Sequence, residues 1–275
     1  MRFLSRFFLP IGVGLLGLTW LAPFAIALLM TLKSQREALT RPFWTFPSTI
    51  ALFENLRFAW EIGKLQFGFR NSLLYATAGA AAAIIIASAA AFALAILRPR
   101  ASFLIFMVIF SGTLFPFQMH IIPLFRMYQD FGLYDTRWGL LLFYMTISIP
   151  FCTFVLRNYF TTIPREIGEA ARLDGLSDFG VYLRIYLPLS LAPITTLFVF
   201  EFTWIWNDLL FGITLAKSPE VRPIMAGLAS LRGVHSASNP PGILAGALLA
   251  SAPTILVFLG LQRYFIRGLV LSTRG

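Results

Sequence analysis

Residues able to recognise or react are scarce in this chain, and they are conspicuous because long uncharged stretches surround them. Glu201 lies in an apolar run, where a carboxylate facing lipid costs about 2.5 to 3.5 kcal/mol on insertion scales, so it should turn toward water, a partner or a solute. Trp204 and Asn207 follow on nearly the same side of a helix, and Asp208 falls nearer the row of Trp204. An aromatic face beside an amide suits a sugar, whose C–H face stacks on the indole while its hydroxyls pair with the amide. A structural bond from Glu201 to a partner chain, with the tryptophans anchoring at an interface, is the plainer reading. Alternatively, Glu201, Asp208 or His120 would form the proton or sodium site of an ion-coupled secondary transporter. His120 sits between Pro116 and Pro123 and reads as hydrogen-bonded structure. With only 2 histidines in the chain, a metal site has no support. Cys152, the 1 cysteine, lies in an apolar run and reads as a small hydrophobe.

Other chemistry is missing by pattern. There is no Gly-x-x-x-x-Gly-Lys-Ser/Thr loop to cradle a nucleotide, no Ser/His/Asp set, no paired catalytic carboxylates and no Cys/His cluster. No catalytic residue, metal or cofactor is therefore expected in this chain.

The most informative polar stretch runs from Pro164 to Pro188. Pro164 suits the first helical position, Glu166 and Glu169 favour the positive end of a helix dipole, and Gly175 can close the helix in the left-handed conformation. Ser177 can cap a second helix, on which Phe179, Tyr182, Leu183 and Tyr186 recur at helical spacing. Ile167, Ala170, Ala171 and Asp174 give the first helix a face of little bulk, which allows close docking into a groove. An amphipathic hairpin resting on a membrane surface is the bland alternative.

The elements that must position these residues follow from composition. Hydrophobic residues make up 58% of the 275 residues and charged residues 12%. Mean hydropathy is +0.77, so the chain is an all-α polytopic membrane protein with about six spans of roughly 20 residues each. Spans are expected at Phe7 to Leu32, Asn71 to Leu97, Ala101 to Phe125 (bent or broken at its prolines), Trp138 to Leu156, Leu187 to Leu215 and Val234 to Gln262. The first reads as a retained signal anchor. Lys33 to Arg70 reads as an ordered loop with one short helix. Alanines at 80–83 and 87–91 make the second span slim enough to pack closely. The net charge of +10 is scattered through loops, which favours anionic lipid and argues against nucleic acid. With the amino terminus inside, 11 of the 22 Lys and Arg fall on each side, so charge does not choose an orientation.

Glu169-Ala-Ala and Asp174-Gly175, then Ile185-x-Leu-Pro188 and Pro193, resemble the EAA loop of binding-protein-dependent ABC importer permeases. Asn71-Ser72 also matches that family's second span. The tail departs from it, ending Leu271-Ser-Thr-Arg-Gly275 where the family commonly has Gly-Ala-Val-Lys-Gly. The run from Ile121-Ile-Pro-Leu-Phe through Gly132-Leu to Pro164 looks most like the carbohydrate-uptake class, similar to the smaller permease of maltose-type importers. The resemblance implies an ABC type I importer permease fold in one transmembrane domain, 1–275, with 33–70 an extracytoplasmic loop and 157–186 a cytoplasmic coupling loop. It implies alternating access for a sugar-like solute in the bacterial inner (cytoplasmic) membrane, with both termini cytoplasmic. Its implied partners are a second homologous permease, a dimer of ATPase subunits holding ATP and Mg, and a periplasmic or lipid-anchored solute-binding protein. Glu169, Ala170, Ala171, Asp174 and Gly175 would couple to the ATPase, Arg274 of the tail would reach it, and Glu201, Trp204 and Asn207 would face the path.

Overall fold

The computed structural model describes residues 2–235 and 239–272, with side chains over 10–231 and 239–260. Among the described residues the chain is helix and connecting loop. The elements are α1 (Arg2–Leu32), α2 (Gln35–Thr40), α3 (Leu52–Arg57), α4 (Leu65–Phe92), α5 (Ser102–Ser111), α6 (Ile121–Asp130), α7 (Arg137–Phe160), α8 (Arg165–Leu173), α9 (Asp178–Val181), α10 (Leu187–Leu189), α11 (Leu191–Asn207), α12 (Leu210–Leu215), α13 (Ile224–His235) and α14 (Pro240–Ser272). Turns of π-helix, Phe58–Ile62, Ala93–Leu97 and Tyr182–Tyr186, continue α3, α4 and α9. Arg274 lies outside the described residues.

Among the described residues, 4 stretches are long and apolar enough to cross a bilayer: Pro10–Leu32, Leu65–Leu97, Arg137–Phe160 and Pro240–Gly260. A fifth arises if Asp178–Leu189 and Leu191–Asn207, bent by 73°, form one broken span. The expected third span is not one helix. α5 has 10 residues, about 15 Å at 1.5 Å per residue and half the hydrocarbon thickness. The chain then turns through Gly112 to Pro116 before a 3-10 turn, Phe117–His120, leads into α6. Pro123 falls in the first turn of α6, where a missing N–H leaves nothing unpaired. Because α6 runs on to Asp130, the loop expected from Arg126 is only 131–136. The expected fifth span also stops early, at Asn207, and α13 fills most of the stretch between the fifth and sixth expected spans.

Chain contacts gather into two compact units, residues 1–66 with 227–252 and residues 67–226 with 253–275. In the first unit, the apolar side chains of α1 from Ile11 to Leu28 are largely exposed. α1 ends in a polar knot. Lys33 is wholly buried, and its ammonium donates to the Pro42 carbonyl at 2.8 Å, the Phe43 carbonyl at 3.3 Å and the Thr45 hydroxyl at 2.9 Å. All three of its donors are thereby used, which offsets the cost of burying the charge. Asn55 Nδ2 donates to the Thr31 and Lys33 carbonyls, each at 2.9 Å, taking up acceptors left open as α1 ends. Glu37 Oε1 accepts from the Ser48 N–H at 3.0 Å, from the Ser48 hydroxyl and from Arg41. The 33–70 stretch thus carries two short helices and a π turn, and from Leu65 it already belongs to α4. Gly242 of α14 admits the Phe58 ring so closely that a Cβ there would lie 2.4 Å from it.

In the second unit, Ala76, Ala80, Ala83, Ala87 and Ala91 of α4 are fully buried at helical spacing, as a slim packing helix requires. α7 is capped by the Thr136 hydroxyl, which accepts from the Gly139 N–H at 3.0 Å. Among the described residues, one apolar cluster joins Ile84 and Ala87 of α4 and Cys152, Leu156 and Phe160 of α7 to Ala171 of α8 and Tyr182 and Tyr186 of the π turn.

Candidate functional site

Two regions of the second unit carry the polar residues of interest. The first is the turn between α7 and α11. Pro164 is the N-cap of α8, one place before the first-residue position expected for it. The helix closes as a Schellman motif: the Gly175 N–H donates to the Arg172 carbonyl at 3.0 Å and the Leu176 N–H to the Ala171 carbonyl at 3.1 Å. Gly175 takes φ +88°, a region a side chain resists, so this glycine is required by the turn. The Ser177 hydroxyl accepts from the Gly180 N–H at 3.2 Å, and Arg172 pairs with Asp178 at 2.8 Å across the joint.

The proposed small face of α8 divides. Ile167, Ala170, Leu173 and Asp174 are exposed, whereas Ala171 is buried with Gly168 against the chain's own core. A Cβ on Gly168 would lie 3.0 Å from the Tyr186 hydroxyl, so α8 sits close on that ring. Leu173, 89% exposed, and Phe179, 69% exposed, add bulk to the outer face that the small-face reading did not include. Glu169 is exposed as well, and it lines a shallow basin with Arg98, Arg165 and Arg172. The helical face predicted across Phe179, Tyr182, Leu183 and Tyr186 does not form. The π turn changes the residue spacing there, burying Tyr182 and Tyr186 and leaving Phe179 and Leu183 exposed. Phe92 of α4 meets Tyr182 at 5.3 Å and Tyr186 at 5.2 Å, and the Tyr182 and Ser88 hydroxyls are 2.6 Å apart. Through Tyr182 and Tyr186 the turn thus packs on α4 and α7.

The second region is the end of α11. Here the three residues expected to face a path part company. Glu201 is 4% exposed and points into the unit: it accepts from the Ser148 hydroxyl at 2.6 Å, and Cys152 Sγ lies 3.8 Å from its other oxygen. Trp204 is half-buried, with Phe117 at 5.8 Å and Tyr144 at 6.4 Å from its ring. Asn207 is exposed and donates to the Thr203 carbonyl at 2.8 Å. Trp204, Asn207 and Asp208 share an open concavity of about 630 Å³ with Thr203, Phe200 and Leu210, and Glu201 does not line it. Asp208 stops α11: its carboxylate accepts from the Tyr144 hydroxyl at 2.8 Å and the Gly212 N–H at 3.0 Å, helping to start α12. Sequence reading missed Ser148 and Tyr144 because no local spacing links them to residues more than fifty positions away. The helical period did offer a hint, since both lie on one face of α7.

At the start of α4 and α7, opposite the α8 end, the connection between α12 and α13 is pinned. Asn71 Nδ2 donates to the Glu220 carbonyl at 2.8 Å and the Arg222 carbonyl at 3.1 Å, the Tyr75 hydroxyl donates to the Val221 carbonyl at 2.9 Å, and the Ser72 hydroxyl accepts from the Ile224 N–H at 2.8 Å. Asp135, at φ +57°, accepts from the Lys217 N–H at 2.8 Å and the Ser218 N–H at 2.9 Å. The Asn71-Ser72 pair thus has a physical task, that of fixing a loop some 150 residues away in the chain.

The family model described as "Binding-protein-dependent transport system inner membrane component" matches residues 83–270. The chain is 33% identical over 226 residues to the probable ABC transporter permease protein YurM of Bacillus subtilis (strain 168), covering 82% of this chain and 74% of that one. It is 33% identical over 250 residues to the melibiose/raffinose/stachyose import permease protein MelC of the same organism, covering 90% of this chain and 88% of that one. A chain in the crystal structure of a bacterial ABC transporter involved in the import of the acidic polysaccharide alginate superposes with a TM-score of 0.78 at 24% identity, covering 95% of this chain and 97% of that one, a likeness of fold.

Proposed function

We propose, since the chain belongs to the family of binding-protein-dependent transport system inner membrane components, that it carries a sugar or oligosaccharide across the bacterial inner membrane by alternating access. A membrane permease of an ABC transporter needs an energy source, and in this reading ATP and Mg sit on a separate dimer of ATPase subunits. A second homologous permease completes the path, and a periplasmic or lipid-anchored binding protein delivers the solute. The whole chain, 1–275, acts as one permease domain, with 157–186 and both termini in the cytoplasm and 33–70 outside.

The observation that carries the coupling role is the apolar cluster that joins α8 to α4 and α7, which lets a push on the outer face of α8 move long apolar helices as a body. Glu169, Ala170 and Asp174 present that outer face to the ATPase, Gly175 shapes its end, and Ala171 supports it from within. Trp204 and Asn207 favour the path, because they share a concavity that an indole and an amide both line. Glu201 serves as an internal strut between α11 and α7.

Two observations support a carbohydrate: the import named for the MelC relative and the concavity at α11 that Trp204 and Asn207 both line. The test is reconstitution. The chain should copurify with an ATPase and a second permease, and ATP hydrolysis in proteoliposomes should rise when binding protein loaded with raffinose or a related oligosaccharide is added. Hydrolysis that responds to no carbohydrate-loaded binding protein, in a complex that assembles, would remove the sugar assignment. Uptake driven by a sodium or proton gradient without ATP would remove the reading altogether.

A further inference from the structure

The basin beside Glu169 has the makings of an anion site. It holds about 140 Å³, room for a tetrahedral oxyanion, and three arginines from separate turns of chain line it: Arg98 after the α4 π turn, Arg165 at the start of α8 and Arg172 in its last turn. Against them stands one carboxylate, Glu169, so the lining keeps a formal surplus of positive charge. Two of the guanidinium groups are steadied through Nε. Arg98 donates to the Ala95 carbonyl at 2.8 Å and Arg172 to Asp178 at 2.8 Å, which leaves their terminal nitrogens to present a fork. Among the described residues, Arg165 has no recorded hydrogen bond or ion pair. Arg98 is held at φ +50°, a left-handed conformation uncommon without a glycine.

A second observation points to a ligand. Tyr186 lines the basin with a side chain 1% exposed, its ring packed on Phe92 and Phe160, yet its hydroxyl has no hydrogen-bond partner among the described residues. The hydroxyl lies at the basin wall, where an anion oxygen would accept from it. The basin also sits where the long apolar helices α4 and α7 end, and the end of a bilayer-length apolar helix is where a lipid headgroup is met.

We propose that this basin binds a phosphate group, either on the headgroup of an anionic phospholipid or on a soluble phosphate ester, bridging the end of α4 to α8. The inference rests on the basin alone and stands whatever solute is carried.

The experiment uses the full chain in nanodiscs, with inorganic phosphate and phosphatidylglycerol as probes. In discs of phosphatidylcholine, phosphate titrated against chloride at matched ionic strength should raise Tm if the soluble form binds. If the lipid form binds, phosphate has no effect, discs containing phosphatidylglycerol raise Tm, and native mass spectrometry retains bound phosphatidylglycerol. In either arm, Arg165→Gln and Arg98→Gln should lose most of the shift or retained lipid, and Tyr186→Phe should weaken it several-fold. Arg126→Gln, on α6 and outside the basin, should behave as wild type. Tyr186→Phe removes only one hydroxyl and keeps the test valid if an arginine variant fails to fold. A wild-type chain that responds to neither probe overturns the proposal, as does a response that all three basin variants keep in full.

Discussion

The α8 turn and the end of α11 are both places where a helix is stopped, and they are stopped by different means. α8 ends through its own backbone: Gly175 at φ +88° lets two N–H groups reach back to carbonyls within five residues. α11 ends through a side chain, Asp208, held by the Tyr144 hydroxyl from 64 positions away. A stop of the first kind belongs to the segment itself. A stop of the second kind exists only once two helices have packed, so its strength depends on the neighbour.

That contrast can be broken by substitution. The largest effect should come from Ala171→Trp, which forces an indole into a core where Ala171 is 7% exposed. Overpacking should cost about 1 to 3 kcal/mol or more, read as a lowered unfolding midpoint in detergent. Ala170→Trp, one residue away on the exposed face, should leave that midpoint unchanged and abolish copurification with the ATPase. Equal destabilisation by both would show that α8 has no distinct inner and outer face.

Next comes the strut in α11. Ser148→Ala removes the hydroxyl bonded to Glu201 and leaves a buried carboxyl short of its donor, at about 1 to 3 kcal/mol. Ser148→Thr, which keeps a hydroxyl, should recover part of that loss, and transport KM should change little. A Ser148→Ala variant with normal stability but a raised KM would instead move Glu201 into the solute path.

Gly175→Val should cost about 1 to 2 kcal/mol through its left-handed φ, whereas Tyr144→Phe should cost about 0.5 to 1.5 kcal/mol by releasing Asp208. Amide hydrogen exchange separates them: the first frays α8 alone, and the second loosens both α11 and α12.

The smallest effect is at the polar knot after α1. The Ser48 hydroxyl, then the Ser48 N–H and Arg41, hold the Glu37 carboxyl below the ordinary glutamate range, against the opposing pull of burial. A depressed carboxylate contributes stability that is fully present above its unfolded pKa, about 4.3, and is lost as pH falls through the lower folded value. Fluorescence of the tryptophans in the 33–70 stretch should therefore report loosening only in acid below that range. Ser48→Ala should shift the transition to higher pH, and an unshifted transition would show that the knot does not depend on this pair.

Much of the turn around α8 was legible in the residues: a proline at the start, a glycine at the stop and a serine cap are local chemistry, acting within a few positions. The π turn at Tyr182–Tyr186 was not legible, because an extra residue in a helical turn leaves no mark in composition and reassigns every side chain after it. The break after α5 was half legible. Pro116 announced it, but only the folded chain shows that Pro123 is harmless in the first turn of α6.

By itself, the order of residues determined that this is a helical, multi-pass membrane chain with a polar turn between apolar segments, since hydropathy, proline, glycine and caps act over one helix at a time. Packing decided which polar side chains meet one another. Glu201 went to Ser148, Asp208 to Tyr144 and Asn71 to the loop at 220–222, because buried polar groups must find partners and the nearest suitable ones lie on other helices.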